Sequence, residues 1–504
     1  MRILFYNWVD YFDHQKRGGG VTQYQRNVLD HLDQCSGVSC FFLSSGTSYD
    51  LGGKAPRWAK VVHGPKDGRD RRFEIVNSEC QAPSHMSFGD PAQVEGAATV
   101  EVFADFIARH GPFDVIHFNN LEGIPVDVLA LKARLPQTRF VFALHNYYPF
   151  CPQVNFWHQE RQHCSDFEGG ARCAKCLPFK LNPRMGRLAN AVNFTLHKGG
   201  LGPGTTFHTH AAGPAMGYGI KAVRKFAAAR RAAATRQGEK FARSAAPQPA
   251  VDPLVAGAFR QRRSEFVAAI NAHCDDVLCV SDRVRLIAET HGISPSLLHT
   301  SYIGSDHADR FAETNPRARI LHEDGTAKMA FLGYMRRDKG FFFLLDALEA
   351  MPAHLLERLH VLFAAAGRDD DIARRFAALE RRLASLTWVN GYSRDSMDEM
   401  LSDVDFGIIP VLWEDNLPQV AIEMHARHIP LLTSDRGGAQ ELGRFPNMVF
   451  RSEDAQSLHE RIEAILGGEI DLNAYWAGAM RPVSMEQHVA ELLAIYGRKT
   501  LPAT

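Results

Sequence analysis

Residues 412–424 read LWEDNLPQVAIEM. Two adjacent acids, Glu414 and Asp415, precede Asn416-Leu417-Pro418, and a third, Glu423, sits inside an apolar helical run. Three readings of the acids stand open at this point: they favour a helix N-terminus, they are incidental surface charge, or they hold a polyhydroxylated ligand there. Asn416-x-x-Gln419 reads as a capping-box-like helix start, with Pro418 in the first turn where its missing N–H does no harm. Acids beside the positive end of the helix dipole fit the same picture, with Glu414 as a flanking acid. None of this accounts for Glu423, among Val420, Ala421, Ile422 and Met424, because an acid in such a helix needs a partner. A helix start offers N–H groups to phosphate or sugar oxygens, while carboxylates accept hydrogen bonds from sugar hydroxyls.

Around this stretch, short apolar runs alternate with helical ones. MAFLG (329–333), LHVLFAAA (359–366), LTWV (386–389), FGIIPV (406–411), IPLLT (429–433) and NMVF (447–450) read as strands of one sheet. RILFY (2–6), VSCFFL (38–43), DVIHF (114–118), RFVFAL (139–144) and DVLCV (276–280) read as another, with a helix starting at Ser281. Continuous apolar strands separated by helices imply parallel sheets covered on both faces. Two doubly wound α/β domains follow, joined by a polar linker near 306–327. The domains are expected at 1–305 and 306–480, with 481–504 as a helix packing back on the first. An irregular insertion spans about 146–260.

The chain has 504 residues, 45% hydrophobic and 23% charged, with 57 basic and 57 acidic side chains. That balance argues against a dedicated nucleic-acid binder. The start, MRILFYNWVDYF, lacks a signal-peptide h-region and reads as a first strand; no stretch has the length of a membrane span, so a cytoplasmic protein is expected. Nine cysteines without an export signal argue against a disulfide framework. Four of them form Cys151-x12-Cys164-x8-Cys173-x2-Cys176, a spacing that fits a structural tetrahedral zinc site or, alternatively, four reduced thiols. Within the insertion, 221–243 carries eight Lys/Arg against only Glu239. This reads as a solvated basic helix or as a peripheral contact with an anionic membrane face. DVD (403–405) and the acids of GRDDDIARRF (367–376) read as boundary and helix-start acids, so no catalytic divalent metal is expected.

PVLWEDNLPQVAIEMHARHIPLLTSDRGGAQEL (410–442) resembles the donor-site segment of retaining glycosyltransferases of family 4, which have the two-domain GT-B fold. Their signature is a Glu, seven residues, a second Glu, and later SD.GG..E. Counting back from Glu423 puts Asp415 at the first acid, as in a subgroup with an EDNLP form. RGGGVTQYQRNVLDHL (17–32) resembles the loop that faces the donor diphosphate, through Gly19 and Gly20. FLGYMRRDKGFFFLLDAL (331–348) resembles the segment opening the second domain. There Lys339 and Gly340 match, while Tyr334 stands where the family has Arg; Arg336 or Arg337 is available instead, and Arg337 is taken for the diphosphate. LHNYYPFCP (144–152) resembles the segment that puts a histidine, here His145, by the reacting sugar. DVIHFNNLEG (114–123) keeps His117, as a core or site residue, but has Asn119 for a second His. A Cys-rich insert also occurs in part of the family.

The resemblance implies a GT-B transferase moving a sugar from a nucleotide sugar, UDP or GDP, to a glycan or lipid-linked glycan with retention of configuration, in surface polysaccharide synthesis. Lys339 and Arg337 would hold the diphosphate, Glu423 the ribose, and Asp415 the sugar hydroxyls, with backbone at Leu417, Pro418, Gln419 and Val420. Two rivals remain: a catalytically inactive nucleotide-sugar-binding or scaffold protein, and another GT-B enzyme such as a phosphorylase or epimerase.

Overall fold

The computed structural model describes residues 1–13, 17–52, 55–62, 64–82, 91–177, 183–202, 205–215, 217–219, 251–367, 370–392 and 396–498. The basic run 221–243 lies outside them. The first domain is built on β1 (Arg2–Asn7), β2 (Ser39–Ser48), β3 (Arg57–Lys60), β4 (Arg72–Val76), β5 (Val115–Phe118) and β6 (Arg139–Leu144). A two-stranded hairpin, β7 (Trp157–His158) and β8 (Gln162–His163), stands apart from that sheet, which continues with β9 (Asp276–Cys279) and β10 (Leu298–Thr300). The order is β10-β9-β6-β5-β1-β2-β4-β3, parallel except for the β3–β4 edge pair. The second domain holds β11 (Ala327–Tyr334), β12 (Leu359–Ala366), β13 (Ser385–Val389), β14 (Phe406–Ile409), β15 (Leu431–Ser434) and β16 (Val449–Phe450), all parallel in the order β13-β12-β11-β14-β15-β16.

The central strands are those whose apolar runs are unbroken. β6 (RFVFAL) is buried at every position, and so is β5. Strands β3, β4 and β10, which the apolar pattern passes over, lie toward the sheet's two ends. β4 reads RFEIV, and its two charges hide it from a hydrophobicity reading. Both are buried and answered: Arg72 Nε meets Asp10 at 2.9 Å, and Ser48 Oγ donates to Glu74 at 2.5 Å. Among the described residues no helix is long and apolar enough to cross a membrane.

The insertion contributes helix Pro183–Lys198, packed on β2, and part of helix Pro253–His273, which leads into β9. Arg262 in the latter is buried; it donates to Tyr148 O at 2.8 Å and lies 4.4 Å above the Tyr148 ring. At its far end the chain returns to the first domain. Helix Met485–Tyr496 starts with a Ser484/Gln487 capping box and lies against helix Gly20–Leu32. Tyr24 Oη and His488 Nε2 are 2.7 Å apart, Tyr496 Oη and His117 Nδ1 2.6 Å, and Arg139 donates to Arg498 O. His117 is thus a core residue, the blander of its two readings.

Burial holds His117 and His145 down to about 3 and His488 to about 4, and the neighbouring imidazoles add to the effect on His117 and His145. An unfolded histidine takes up a proton near 6.5, whereas these stay neutral in the fold until far lower pH. The unfolded chain therefore binds more protons below that point. Their contribution is complete above pH ~6.5 and is lost as pH falls below it. Urea unfolding between about pH 7 and about pH 5 should show a falling midpoint, with a shallower fall in His488→Phe. Parallel slopes would contradict this account.

Candidate functional site

A cleft of about 620 Å³ separates the two domains. Its first-domain wall is Gly20, Val21, Tyr24, His145, Val280 and Ile303. Opposite stand Tyr334, Lys339, Tyr392, Trp413, Asp415 and the run Asn416–Val420, with Glu423 deeper. His145 follows β6, Val280 follows β9, Tyr334 ends β11 and Trp413 and Asp415 lie in the loop after β14, so the cleft is at the C-terminal ends of parallel strands, where open α/β sheets place their ligands.

Lys339 is delivered by a tight turn. Gly340 has φ +75°, and a Cβ there would stand 1.7 Å from Pro410 O, so only glycine fits between β11 and the following helix. Lys339 Nζ reaches Asp415 Oδ2 at 2.5 Å and lies 5.2 Å from the Trp413 ring centre. Glu423 is largely buried, and His307 Nε2 stands 3.8 Å from its carboxylate. The acid inside the apolar helix therefore has a neighbouring imidazole as well as an opening onto the cleft. Tyr24 and His145 face one another with ring centres 4.8 Å apart. With burial holding it at about 3, His145 is neutral at ordinary pH, a hydrogen-bonding group more than a proton store.

Glu414 is no flanking acid. It is 2% exposed and takes Arg283 Nε at 2.8 Å, Arg283 Nη2 at 2.6 Å, Arg436 Nη1 at 3.1 Å and Gly437 N at 3.1 Å. Burial pushes its carboxyl up, but the Arg283 fork and the Gly437 N–H outweigh that and hold it below the usual range. Arg283 belongs to the first domain, so this pair crosses the seam. Glu441 crosses it too, accepting from the N–H groups of Asp282 and Arg283 at 2.9 and 2.7 Å and from Tyr302 Oη at 2.8 Å. The glycines of SDRGG keep this turn close-packed: a Cβ on Gly437, at φ +71°, would be 2.1 Å from Asp415 O, and one on Gly438 would be 2.7 Å from Ser281 Oγ of the first domain.

The capping-box reading of 416–419 is also corrected. The helix runs Gln419–His425, with Pro418 at its N-cap and no side-chain cap. Asn416 instead donates to Leu144 O at 3.0 Å, and its carbonyl accepts from Ser281 Oγ at 2.9 Å. Gln419 donates to Gly20 O at 3.1 Å. Both amide NH2 groups are spent across the cleft because the first domain brings carbonyls to them. Gly20 lines the cleft; Gly19, at φ +56°, precedes the helix there without lining it. Arg337 is not brought to the cleft. It lies 5.9 Å from the Phe342 ring, and Arg336 is forked onto Asp338 at 2.6 and 2.9 Å. Lys339 is the only Lys or Arg lining the cleft among the described residues.

The zinc expectation is corrected as well. Among the described residues no three or more His, Cys, Asp or Glu side chains stand where they could hold a metal ion. Cys151, Cys164, Cys173 and Cys176 form no disulfide. Cys164 Sγ points to Asp166 O at 3.5 Å and Cys176 Sγ to Gln153 Oε1 at 3.1 Å, so local acceptors take thiols that a tetrahedral site would turn inward. In the DVD stretch, Asp403 pairs with Lys328, and Asp405 with Arg317 and His322.

Residues 326–467 match the family model described as glycosyl transferases group 1. No curated protein sequence matches the chain. Solved structures share its architecture. Sucrose-phosphate synthase from Thermosynechococcus elongatus is 15% identical, with 98% of each chain covered and a TM-score of 0.51. Alr3699/HepE of Anabaena in complex with UDP is 12% identical, covering 98% of this chain and 100% of its own, at 0.52. The UDP-forming α,α-trehalose-phosphate synthase of Burkholderia vietnamiensis is 14% identical, covering 98% and 99%, at 0.51. The likeness is one of fold: the chain has the GT-B architecture, two Rossmann-like domains across a cleft.

Removing a buried acid that answers two arginines should loosen the seam. Glu414→Ala is expected to cost about 2–3 kcal/mol, since Arg283 and Arg436 can turn partly to water. Urea denaturation measures the loss, and small-angle scattering should show a larger radius of gyration. An unchanged midpoint and radius would remove Glu414 from this role.

Proposed function

We propose that this chain is a glycosyltransferase that moves a sugar from a nucleotide-sugar donor to a glycan or lipid-linked glycan acceptor with retention of configuration. The observation that carries the reading is the Lys339–Asp415 pair with Glu423 in one interdomain cleft, inside the stretch that matches the group 1 model. Lys339 turns from Asp415 to the donor diphosphate, which frees the carboxylate for sugar hydroxyls. Glu423 takes the ribose hydroxyls, and Gly20 and the segment Leu417–Val420 approach the phosphates with backbone. Gly19 lets the loop bend toward them. Charge that develops on the departing diphosphate is met by groups already in place. The leaving phosphate oxygen takes the acceptor hydroxyl proton as the new glycosidic bond forms on the same face. His145, uncharged, hydrogen-bonds the reacting sugar.

Uridine is the favoured base, since HepE of Anabaena has been seen with UDP and with UDP-glucose. Lipopolysaccharide outer core galactosyltransferase WaaB, 11% identical at a TM-score of 0.51, supports a role in surface polysaccharide assembly. A lipid-linked acceptor would bring the chain to a membrane face. Exposed Met185, Leu188, Phe207, Tyr218 and Leu254, lying on both sides of the basic run 221–243, support that contact. A second reading, a GT-B protein that binds a nucleotide sugar without turnover, is favoured by Lys339 being, among the described residues, the one Lys or Arg in the cleft lining and by exposed Tyr334 in place of an arginine.

Calorimetric titration with UDP, GDP, ADP and dTDP decides the donor. One nucleotide should bind, and Glu423→Ala should weaken it roughly tenfold, about the worth of one charge-assisted hydrogen bond. Binding without sugar transfer would select the second reading. No binding by any of the four would overturn both.

A further inference from the structure

A second cavity, of about 40 Å³, lies in the first domain away from the donor cleft. Its floor is β2 and β4, through Ser44, Ser48, Arg72 and Glu74. One wall is the loop after β1, with Asp10, Phe12, Asp13 and Arg17; this loop ends at Gly20 on the rim of the donor cleft. The other is helix Pro183–Lys198 of the insertion, through Asn193, Phe194 and His197. The lining is rich in charge for so enclosed a place, which needs explaining.

Most of that charge is spoken for. Arg17 is forked onto Asp13 at 3.0 and 3.2 Å. Arg72, 1% exposed, is held by Asp10 at 2.9 Å and by Pro65 O and Asp67 O at 2.9 and 3.1 Å. Both guanidinium groups are committed. An anionic ligand finds no uncommitted arginine among these residues. A ligand that donates hydrogen bonds finds carboxylate oxygens, which keep accepting capacity beyond one partner. Among the described residues Asn193 Oδ1 has no hydrogen-bond partner, although the residue is only 7% exposed. A buried carbonyl of this kind costs free energy until a donor meets it. Phe12 and Phe194 add apolar faces beside the acceptors. Carboxylates, an amide oxygen and aromatic faces together suit a sugar, whose hydroxyls donate and whose C–H faces pack on rings.

We propose that this cavity is a subsite for the hydroxyl-bearing edge of a neutral sugar, with Asn193 Oδ1 accepting one of its hydroxyls. The volume decides how much enters. A water needs roughly 10–15 Å³ on this measure, so the space takes a hydroxymethyl group and a neighbouring hydroxyl, not a whole ring. The sugar is then a unit of the acceptor glycan held apart from the transfer point; that assignment, unlike the sugar binding itself, rests on the glycosyltransferase reading. The insertion helix supplies the third wall, so acceptor choice is tied to the segment that interrupts the first domain.

Saturation-transfer NMR on the full chain tests it, with the methyl glycosides of glucose, galactose, mannose and N-acetylglucosamine as probes and glucose 6-phosphate as the anionic comparison. At least one neutral glycoside should receive saturation, and Asn193→Leu, which fills the space and removes the acceptor, should weaken it roughly tenfold. Thr47→Val, at the rim, should weaken it less and guards against a folding failure in the first variant. Nucleotide titration of the same variants should match the parent chain. If no glycoside responds, if the response survives Asn193→Leu, or if glucose 6-phosphate binds more tightly than every neutral sugar, the proposal is overturned and the cavity is a hydrated structural network. Loss of nucleotide binding in the parent chain would instead count against the transferase reading and leave the sugar subsite standing or falling on its own response.

Discussion

A carboxylate sealed between two domains has to be answered from both, and Glu414 is such a carboxylate. Its oxygens take a guanidinium fork from Arg283 of the first domain, and Arg436 and the Gly437 N–H of its own. A buried charge left unpaired is costly, so the domains sit at the separation at which this pairing is met. Glu441 strengthens the constraint by accepting the first N–H groups of helix Asp282–Thr290, which would otherwise end without intrahelical partners. The width and alignment of the cleft follow from these seam contacts.

The placement of Asp415 is a by-product of that seam. Its neighbour turns into the interface, and the Gly437-Gly438 turn packs on its backbone, with Gly438 donating to Asp415 O. The side chain is left to face the cleft and Lys339. Inside the cleft Lys339 is paired with Asp415, with Glu423 a second carboxylate on the same lining, and a ligand that draws the lysine away releases an acid at the same moment. The aromatic side chains Tyr24, Tyr334, Tyr392 and Trp413 supply much of the remaining lining, a surface suited to flat or C–H-rich groups.

The first domain carries what differs from a plain doubly wound unit. The insertion adds helix Pro183–Lys198 over β2, the buried Arg262 under Tyr148, and the wall of the small polar cavity. The C-terminal helix seats its histidine and tyrosine against His117 and Tyr24, so the end of the chain braces the same wall that presents His145. Both additions pack on the first domain.

The sequence by itself determined the two parallel sheets, because their central strands are unbroken apolar runs and such runs can be buried only between helices. It also singled out Asp415, Glu423 and Lys339, since a spacing along the chain is a property of the chain. It did not show β3, β4 or β10, which lie toward the sheet's ends where charges such as Arg72 and Glu74 interrupt the pattern and are neutralised only by distant partners. Asn416 read as a helix cap and Glu414 as a flanking acid because burial and cross-domain partners are not written in local sequence; Leu144 O and Arg283 lie far away along the chain. Arg337 does not line the cleft, and among the described residues the four cysteines do not converge on a metal position, because side-chain direction as well as residue type decides a site. Tertiary structure alone chose which charges are spent on holding the domains together and which remain for a ligand, since that depends on what each carboxylate meets when water is removed.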